Sequence, residues 1–388
     1  MAVETNPRRS LRGALLAAAL LAATFGAGPG PAPTPTSAAG PTFTVNSLGD
    51  EPDANVGNGV CATAGAKCTL RAALQEANFN VDANTITFSV VGTIILTAEL
   101  PDLSSGNVTI AGTNQAVTID GSSLSGWWTA CLHLTSDGNT VKGLVIANCR
   151  GNGIQLDGGS NVIGGTAASE RNVIRDYEQV GVYGSGSSVT GNQILGNQIA
   201  GDPAWEGDWQ GILLGDGASG NTIGGSSPGA RNVISGGQTG VWLMGAGSNN
   251  VIQGNYIGLD ATGSFAVPNG TGVEIGDGAS GNTVLDNVIG GNNGAGILVG
   301  GLFYNLSGSQ TDFWGQISLD GHIRTALPGW SAEQEAVDGT MYSWFFHANK
   351  GNVVEIEVSA LDDGCGSVGP IWLTHIVYKP VAHPLEFR

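Results

Sequence analysis

Six segments of the sequence repeat one short pattern, glycine followed by an apolar, a variable and a second small or apolar residue. They start at Gly153, Gly181, Gly211, Gly240, Gly272 and Gly296, at steps of 28, 30, 29, 32 and 24 residues. A second short apolar run follows in the first five units, usually led by asparagine: Asn161, Asn192, Asn221, Asn250 and Asn282. Some units carry a third, as in Arg171-Asn172-Val173-Ile174 and Arg231-Asn232-Val233-Ile234. No helical period separates these runs. Three short strands per unit without a helix describe the rung of a parallel β-helix, in which each coil stacks on the last and no unit can bury its apolar face alone. Asparagine suits the corners, because it tolerates left-handed backbone and its amide can bond the asparagine one rung away.

That repeat disposes of a competing motif. Gly215, Gly217 and Gly220 form a G-x-G-x-x-G string, and Gly276, Gly278 and Gly281 form another. A dinucleotide-binding turn must open a helix, whereas Asn221-Thr222-Ile223-Gly224-Gly225 follows the first string. Both strings read as the same corner on rungs two apart. A single G-x-S-x-G occurs at Gly225 to Gly229, but the residue after its Ser227 is Pro228, which has no N–H for an oxyanion.

Strand alternation identifies the candidate surface. With Ile154 and Leu156 inward, Gln155 faces out, and stacking yields the column His133, Gln155, Tyr183, Leu213, Trp242, Glu274 and Leu298. Aromatic faces flanked by polar groups can stack sugar rings. The candidate ligand-binding residues are Tyr183, Trp242, Glu274 and Gln155, with Trp205 and Trp209 of an insert at Asp202 to Trp209 as a wall. Asp202, Glu206 and Asp208 of that insert are candidate ligands for Ca²⁺, the one cofactor left open. The opposing expectation is that inserts or a C-terminal domain cover the column. The insert and the segment Asp260 to Pro268 should share one side, about 10 Å apart.

The N-terminal residues lead to the expectation of an exported chain. Arg8, Arg9 and Arg12 precede a short apolar run and then small residues, the layout of an export signal too short to span a bilayer. The Arg8-Arg9 pair leaves a twin-arginine route open. Residues 1–39 hold three of the 14 basic and one of the 32 acidic residues, so the remainder has a formal net charge of −20. That surface repels nucleic acid and anionic membranes, and no transmembrane helix is expected in the mature chain. Cys61 and Cys68 are expected to be bridged. Cys131 and Cys149 can form a second bridge, and Cys365 is left over. No Cys or His spacing resembles a zinc site.

Three resemblances add to this reading. Asp50 to Asn78 resembles the N-terminal module named for a Cys-Ser-Leu-Arg-Glu-Ala consensus, the CSLREA-type module; here the residues are Cys68-Thr69-Leu70-Arg71-Ala72-Ala73, with alanine for the glutamate. The resemblance implies an exported protein in which this module precedes a β-helix. Leu70, Ala73, Leu74 and Ala77 line one face of a short helix that can cover an open rung. Residues from about 85 to 303 resemble the bacterial right-handed parallel β-helix repeat family, which implies fold rather than function. From Gly315 the sequence resembles the pre-peptidase C-terminal β-sandwich at Asp338, Tyr342, Trp344, Phe346, Gly351, Val353, Ile356 and Val358, cut short before its last strands.

The expected fold is all-β: a right-handed parallel β-helix with a short N-terminal capping helix and a small C-terminal β-sandwich. The expected segments are 1–39 signal and Pro-rich linker, 40–84 cap, 85–303 β-helix and 304–388 partial sandwich. The leading functional expectation is an exported extracellular or cell-surface scaffold or adhesin that binds a polysaccharide or cell-surface glycan and has no recognisable catalytic site. Polygalacturonase-like signatures are missing from the rungs, and Asp362-Asp363 reads as a turn before Gly364. The alternative is a polysaccharide lyase or glycoside hydrolase working in the groove, with Arg171, Arg175 and Arg231 as the available rung cations.

Overall fold

The computed structural model describes residues 39–112, 114–201, 209–245, 247–276 and 279–299, together with the backbone of five strands beyond residue 310. Between Ala39 and Val299 the chain winds through three parallel sheets. The face built from the glycine-led runs stacks Leu132–Leu134, Ile154–Leu156, Val180–Ser185, Gln210–Gly215, Thr239–Leu243, Thr271–Ile275 and Ile297–Val299 in sequence order. A second face stacks the asparagine-led strands from Ala83–Phe88 to Thr283–Leu285, and a third runs from Gly92–Ile95 to Val288–Ile289. Third strands are present in every rung of this stretch, including Gln198–Ala200 and Tyr256–Ile257, where the sequence shows only two apolar residues and no arginine signal. The expected all-β parallel β-helix is the observed fold.

Alternation fills the interior. Ile154, Val182, Ile212, Val241 and Val273 share one buried register position on the first face, as do Ile163, Ile194, Ile223, Ile252 and Val284 on the second. These side chains belong to one continuous apolar core, so burial is shared along the stack rather than within a rung.

The leading glycines are required by close approach. A Cβ on Gly211 would lie 2.5 Å from the Gly240 carbonyl oxygen and 2.5 Å from the Ile234 Cγ2, and one on Gly181 would lie 2.6 Å from the Gly211 oxygen. At Gly153, Gly181, Gly211, Gly240 and Gly272 a Cβ would come within 2.3 to 2.6 Å of the next rung's carbonyl oxygen, which explains the glycine that leads these units; Cys131 holds the same position in the first rung.

The asparagine corners work differently from the expectation. Asn139, Asn161, Asn192, Asn221, Asn250 and Asn282 are fully buried, but the left-handed residue is the one before each: Gly138, Ser160, Gly191, Gly220, Asn249 and Gly281, with φ between 54° and 75°. The asparagine itself contributes through its amide. Its Oδ1 accepts from the backbone N–H and the side-chain amide of the preceding asparagine, as Asn250 does from Asn221 at 2.9 Å and 2.9 Å. A second ladder, Asn172, Asn197, Asn232, Asn255 and Asn287, runs up the next corner.

At the N-terminal end, helix Leu70–Phe79 is capped by the Thr69 hydroxyl, which accepts from the Ala72 N–H, and it buries Leu70, Ala72, Ala73, Leu74, Glu76 and Ala77. Leu70, Ala73, Leu74 and Ala77 join the same core as Ile86 and Ile94. Arg71 pairs with Asp50 at 2.7 Å and donates to the carbonyls of Ala98 and Glu99, tying the helix to the loop behind it. Cys61 and Cys68 are disulfide-bonded, as are Cys131 and Cys149; Cys365 lies outside the described residues.

At the other end, Thr283–Leu285 pairs in parallel with Ile371–Val377. That strand pairs antiparallel with Val353–Leu361, which pairs antiparallel with Thr311–Leu319. His322–Arg324 and Gln334–Ala336 both flank Thr311–Leu319. The second face thus continues into antiparallel strands. Of the residues that carry the β-sandwich resemblance, Asp338, Tyr342, Trp344, Phe346 and Gly351 lie outside the described residues, as do the signal segment and Asp362-Asp363.

Candidate functional site

The outward column has the register that alternation predicts. His133 pairs with Gln155, Gln155 with Tyr183, Tyr183 with Leu213, Leu213 with Trp242, Trp242 with Glu274 and Glu274 with Leu298. Leu213, in register between Tyr183 and Trp242, is 8% exposed, whereas Tyr183, Trp242, Gln155 and Glu274 are half-buried. The stripe is therefore partly open along its length rather than sealed. Glu274 accepts from the Thr239 hydroxyl at 3.3 Å, which holds it beside Trp242.

The column starts one rung earlier than the repeat suggests. Leu103 bridges to Leu134 in parallel, so Asp102 stands before His133. The imidazole is held between two carboxylates: Nδ1 lies 3.0 Å from Asp102 Oδ1 and Nε2 lies 2.7 Å from Asp157 Oδ2. Gln155 Nε2 donates to Asp157 at 3.3 Å. In the neighbouring column, Ser185 donates to Asp216 Oδ2 at 2.8 Å. Sequence reasoning missed Asp102 because the stretch around it lacks the glycine-led pattern. Asp157 was within reach of it, two residues beyond Gln155 on the same face. Two exposed tryptophans, Trp127 at 78% and Trp128 at 66%, lie on the turn before Leu132–Leu134.

Several expected site residues fall elsewhere. Trp209 is 6% exposed and part of the apolar core, with Gly201 packed beneath its ring; it does not wall a groove. Trp205, Asp202, Glu206 and Asp208 lie outside the described residues. Among the described residues no three His, Cys, Asp or Glu side chains converge to hold a metal ion. Arg171 and Arg231 donate to the carbonyls of Gly196 and Gly254, and Arg175 pairs with Asp176, so the rung cations are engaged in corners away from the column. Arg231 also covers the Tyr256 ring at 4.1 Å. Ser227 caps a short turn by accepting from the Ala230 N–H.

Several titrating groups are held by their surroundings at corners, in a turn and in the core. Hydrogen bonding from Lys142 holds Glu170 below the usual carboxylate range, at a corner. Backbone hydrogen bonding, chiefly from Phe265, lowers Asp260 to about 2 in an exposed turn. Burial pushes the Tyr177 phenol up, inside the core.

With the three-sheet coil and its register established, comparison with known proteins is direct. Residues 106–310 match the family model described as the right handed beta helix region. The chain belongs to this right-handed β-helix family. Two solved structures resemble the β-helix protein. One is the A-module of mannuronan C-5 epimerase AlgE4 from Azotobacter vinelandii, at 16% identity and a TM-score of 0.36 over 56% of this chain and 62% of that one. The other is a PL6 family polysaccharide lyase from Pseudopedobacter saltans, at 14% identity and a TM-score of 0.30 over 56% and 55%. The chain spans less than two thirds of either relative. No curated protein matches this β-helix sequence. Among its described residues no helix is long and apolar enough to cross a membrane.

Proposed function

We propose that this β-helix protein is an exported scaffold or adhesin that binds a glycan along its first face. The observation that carries the reading is the column itself, where Tyr183 and Trp242 stand two rungs apart on a half-open stripe with Gln155 and Glu274 beside them. Two rungs are about 10 Å, close to the length of two sugar units, and an aromatic ring gains by covering the apolar face of a pyranose. Export accords with the basic, apolar and small residues at the N-terminus and with two formed disulfides. Residues 40–84 then serve as the cap, 85–303 as the binding rod and 304–388 as a terminal module.

A lyase or hydrolase reading has one observation in its favour, the Asp102–His133–Asp157 group within the column. Both imidazole nitrogens are occupied by carboxylates, so neither is available to move a substrate proton until one carboxylate is displaced. Binding without turnover is the better fit. The test is a glycan array run beside assays for reducing ends and unsaturated products, with the parent and a folded Tyr183→Ala, Trp242→Ala double variant. Binding by the parent that falls by about tenfold in the variant, without products, supports the proposal. Equal binding by both, binding by neither, or product release overturns it.

A further inference from the structure

The turn that leads into the first face presents two aromatic side chains to solvent. Trp127 and Trp128 lie between Val117–Asp120 of the third face and Leu132–Leu134 of the first, and they are 78% and 66% exposed. The backbone beneath them is pinned. The Leu124 and Thr129 N–H groups donate to the carbonyls of Gly121 and Gly126, the Thr129 hydroxyl donates to Glu99 Oε1 at 3.0 Å, and Arg150 Nε donates to the Leu124 carbonyl. Gly151 packs so closely that a Cβ there would lie 2.7 Å from the Trp128 carbonyl carbon. Two adjacent indoles held in water by a fixed turn forgo burial that would stabilise the chain, and such a patch marks a binding site. We propose that this turn is the end subsite for a neutral, β-1,4-linked glycan that continues along Tyr183 and Trp242. The proposal rests on the reading of the first face as a glycan-binding surface.

Register sets the spacing. Trp127 and Trp128 precede the His133 strand, Tyr183 stands two rungs beyond His133, and Trp242 stands two rungs beyond Tyr183. Aromatic side chains therefore recur on alternate rungs, about 10 Å apart, the length of two sugars in an extended chain. In a β-1,4-linked ribbon each sugar is turned over relative to the last, so alternate sugars offer the same apolar face to the same side. That match selects an extended two-fold polymer over a coiled one. Phe265, 69% exposed on the corresponding turn before Thr271–Ile275, leads into the rung past Trp242 and adds a ring along the same edge. Charge around the Trp127–Trp128 turn is engaged: Arg150 pairs with Glu178 at 3.1 Å, and Asp102 and Asp157 flank His133. A polymer with a carboxylate or an ammonium on each sugar would compete with these pairs, whereas hydroxyls can share the lone pairs left on the carboxylates.

The test measures binding of the full chain to β-1,4-linked glucose oligomers, a trimer and a hexamer. About five sugars reach from the Trp127–Trp128 rung to the Trp242 rung, so the hexamer meets the turn and the column together, while the trimer covers only Tyr183 and Trp242. The hexamer is expected to bind about tenfold more tightly than the trimer. In a folded W127A/W128A variant that gain should vanish with trimer affinity unchanged, and W127F/W128F should keep most of it. Equal affinity for the two lengths, or a gain that survives W127A/W128A, overturns the turn subsite; the glycan face still stands if trimer binding falls in the Tyr183→Ala, Trp242→Ala variant. Stronger binding of a galacturonate, glucosamine or α-1,4-linked glucose hexamer overturns the neutral ribbon assignment, as does no binding of any oligomer. Sedimentation with phosphatidylcholine vesicles of the parent but not of W127A/W128A makes the turn a membrane contact and overturns the subsite too. Oligomer binding indifferent to the Tyr183→Ala, Trp242→Ala variant removes the face as well.

Discussion

Asn221 Oδ1 accepts two hydrogen bonds from Asn192, one from the backbone N–H at 2.9 Å and one from the side-chain amide at 2.9 Å. Its own amide donates to Asn250 Oδ1 and to the Val189 carbonyl, so one buried side chain satisfies polar groups on three rungs. Asn221→Ala would leave the Asn192 N–H buried without a partner, a loss of about 1 to 3 kcal/mol. Asn282, whose Oδ1 receives two bonds from Asn250, should behave alike. Denaturant melts of both variants measure this, and unchanged midpoints would mean that water replaces the amide at these corners.

Two glycines of the repeat should fail for different reasons. Gly211→Ala forces a Cβ to 2.5 Å from the Gly240 oxygen and from Ile234 Cγ2, so the stack must spread. Overpacking of this kind costs typically 1 to 3 kcal/mol or more. Gly220 has φ +64° with nothing within 4 Å of a Cβ, so Gly220→Ala should cost only the left-handed penalty of about 1 to 2 kcal/mol. Gly220→Asn should recover part of that, while Gly211→Asn should not fold. Thermal unfolding of the four variants checks the contrast.

Much of this architecture was legible because a coil repeats its constraints. The spacing of six glycines sets the register, and the register alone puts Tyr183 and Trp242 in one outward column. The asparagine ladder was legible in kind but not in mechanism, since only the backbone angles reveal that the residue before each asparagine turns left-handed. Trp209 misled because an insert has no alternation to orient its side chains, and the core took the indole. Asp102 was hidden because its pairing with the His133 rung comes from a bridge without a repeat signature.

The Asp260 turn offers a pH test. Its Oδ1 accepts from the backbone N–H of Ser264 at 2.9 Å and of Phe265 at 3.1 Å, and the Thr262 hydroxyl adds another bond. The Phe265 bond leads in lowering this carboxyl to about 2 from an ordinary 3.8. A lowered folded value means that the contribution to turn order is complete above the unfolded value near 4 and is lost as pH falls through about 2. Carbon-detected titration of the Asp260 carboxyl should give that midpoint, with the Ser264 and Phe265 amide shifts moving in step. A midpoint near 4 would show that these bonds do not persist in solution. Asp260→Asn should keep the turn and remove its acid dependence.

The two disulfides should differ in what they hold. Cys61–Cys68 closes a loop with a sequence separation of 7, and Cys131–Cys149 one with a separation of 18. Chain entropy alone assigns them about 2.5 and about 3 kcal/mol, so size does not separate them; location does. Cys68 immediately precedes the Thr69 cap of helix Leu70–Phe79, and losing its bridge should loosen the helix while the rungs persist. Cys131 enters the first face just before Leu132, and Cys149 leaves the third face just after Ala147, so their bridge ties one sheet to another inside the stack. Both cysteines are at most 1% exposed. Hydrogen exchange of the paired serine variants is the measurement: Cys61→Ser with Cys68→Ser should speed exchange within residues 70–79 alone, whereas Cys131→Ser with Cys149→Ser should speed it through the strands on either side of that bridge. Uniform loss of protection in both variants would mean that cap and rungs unfold as a single cooperative unit, and the cap would then be part of the rod rather than a cover on its end.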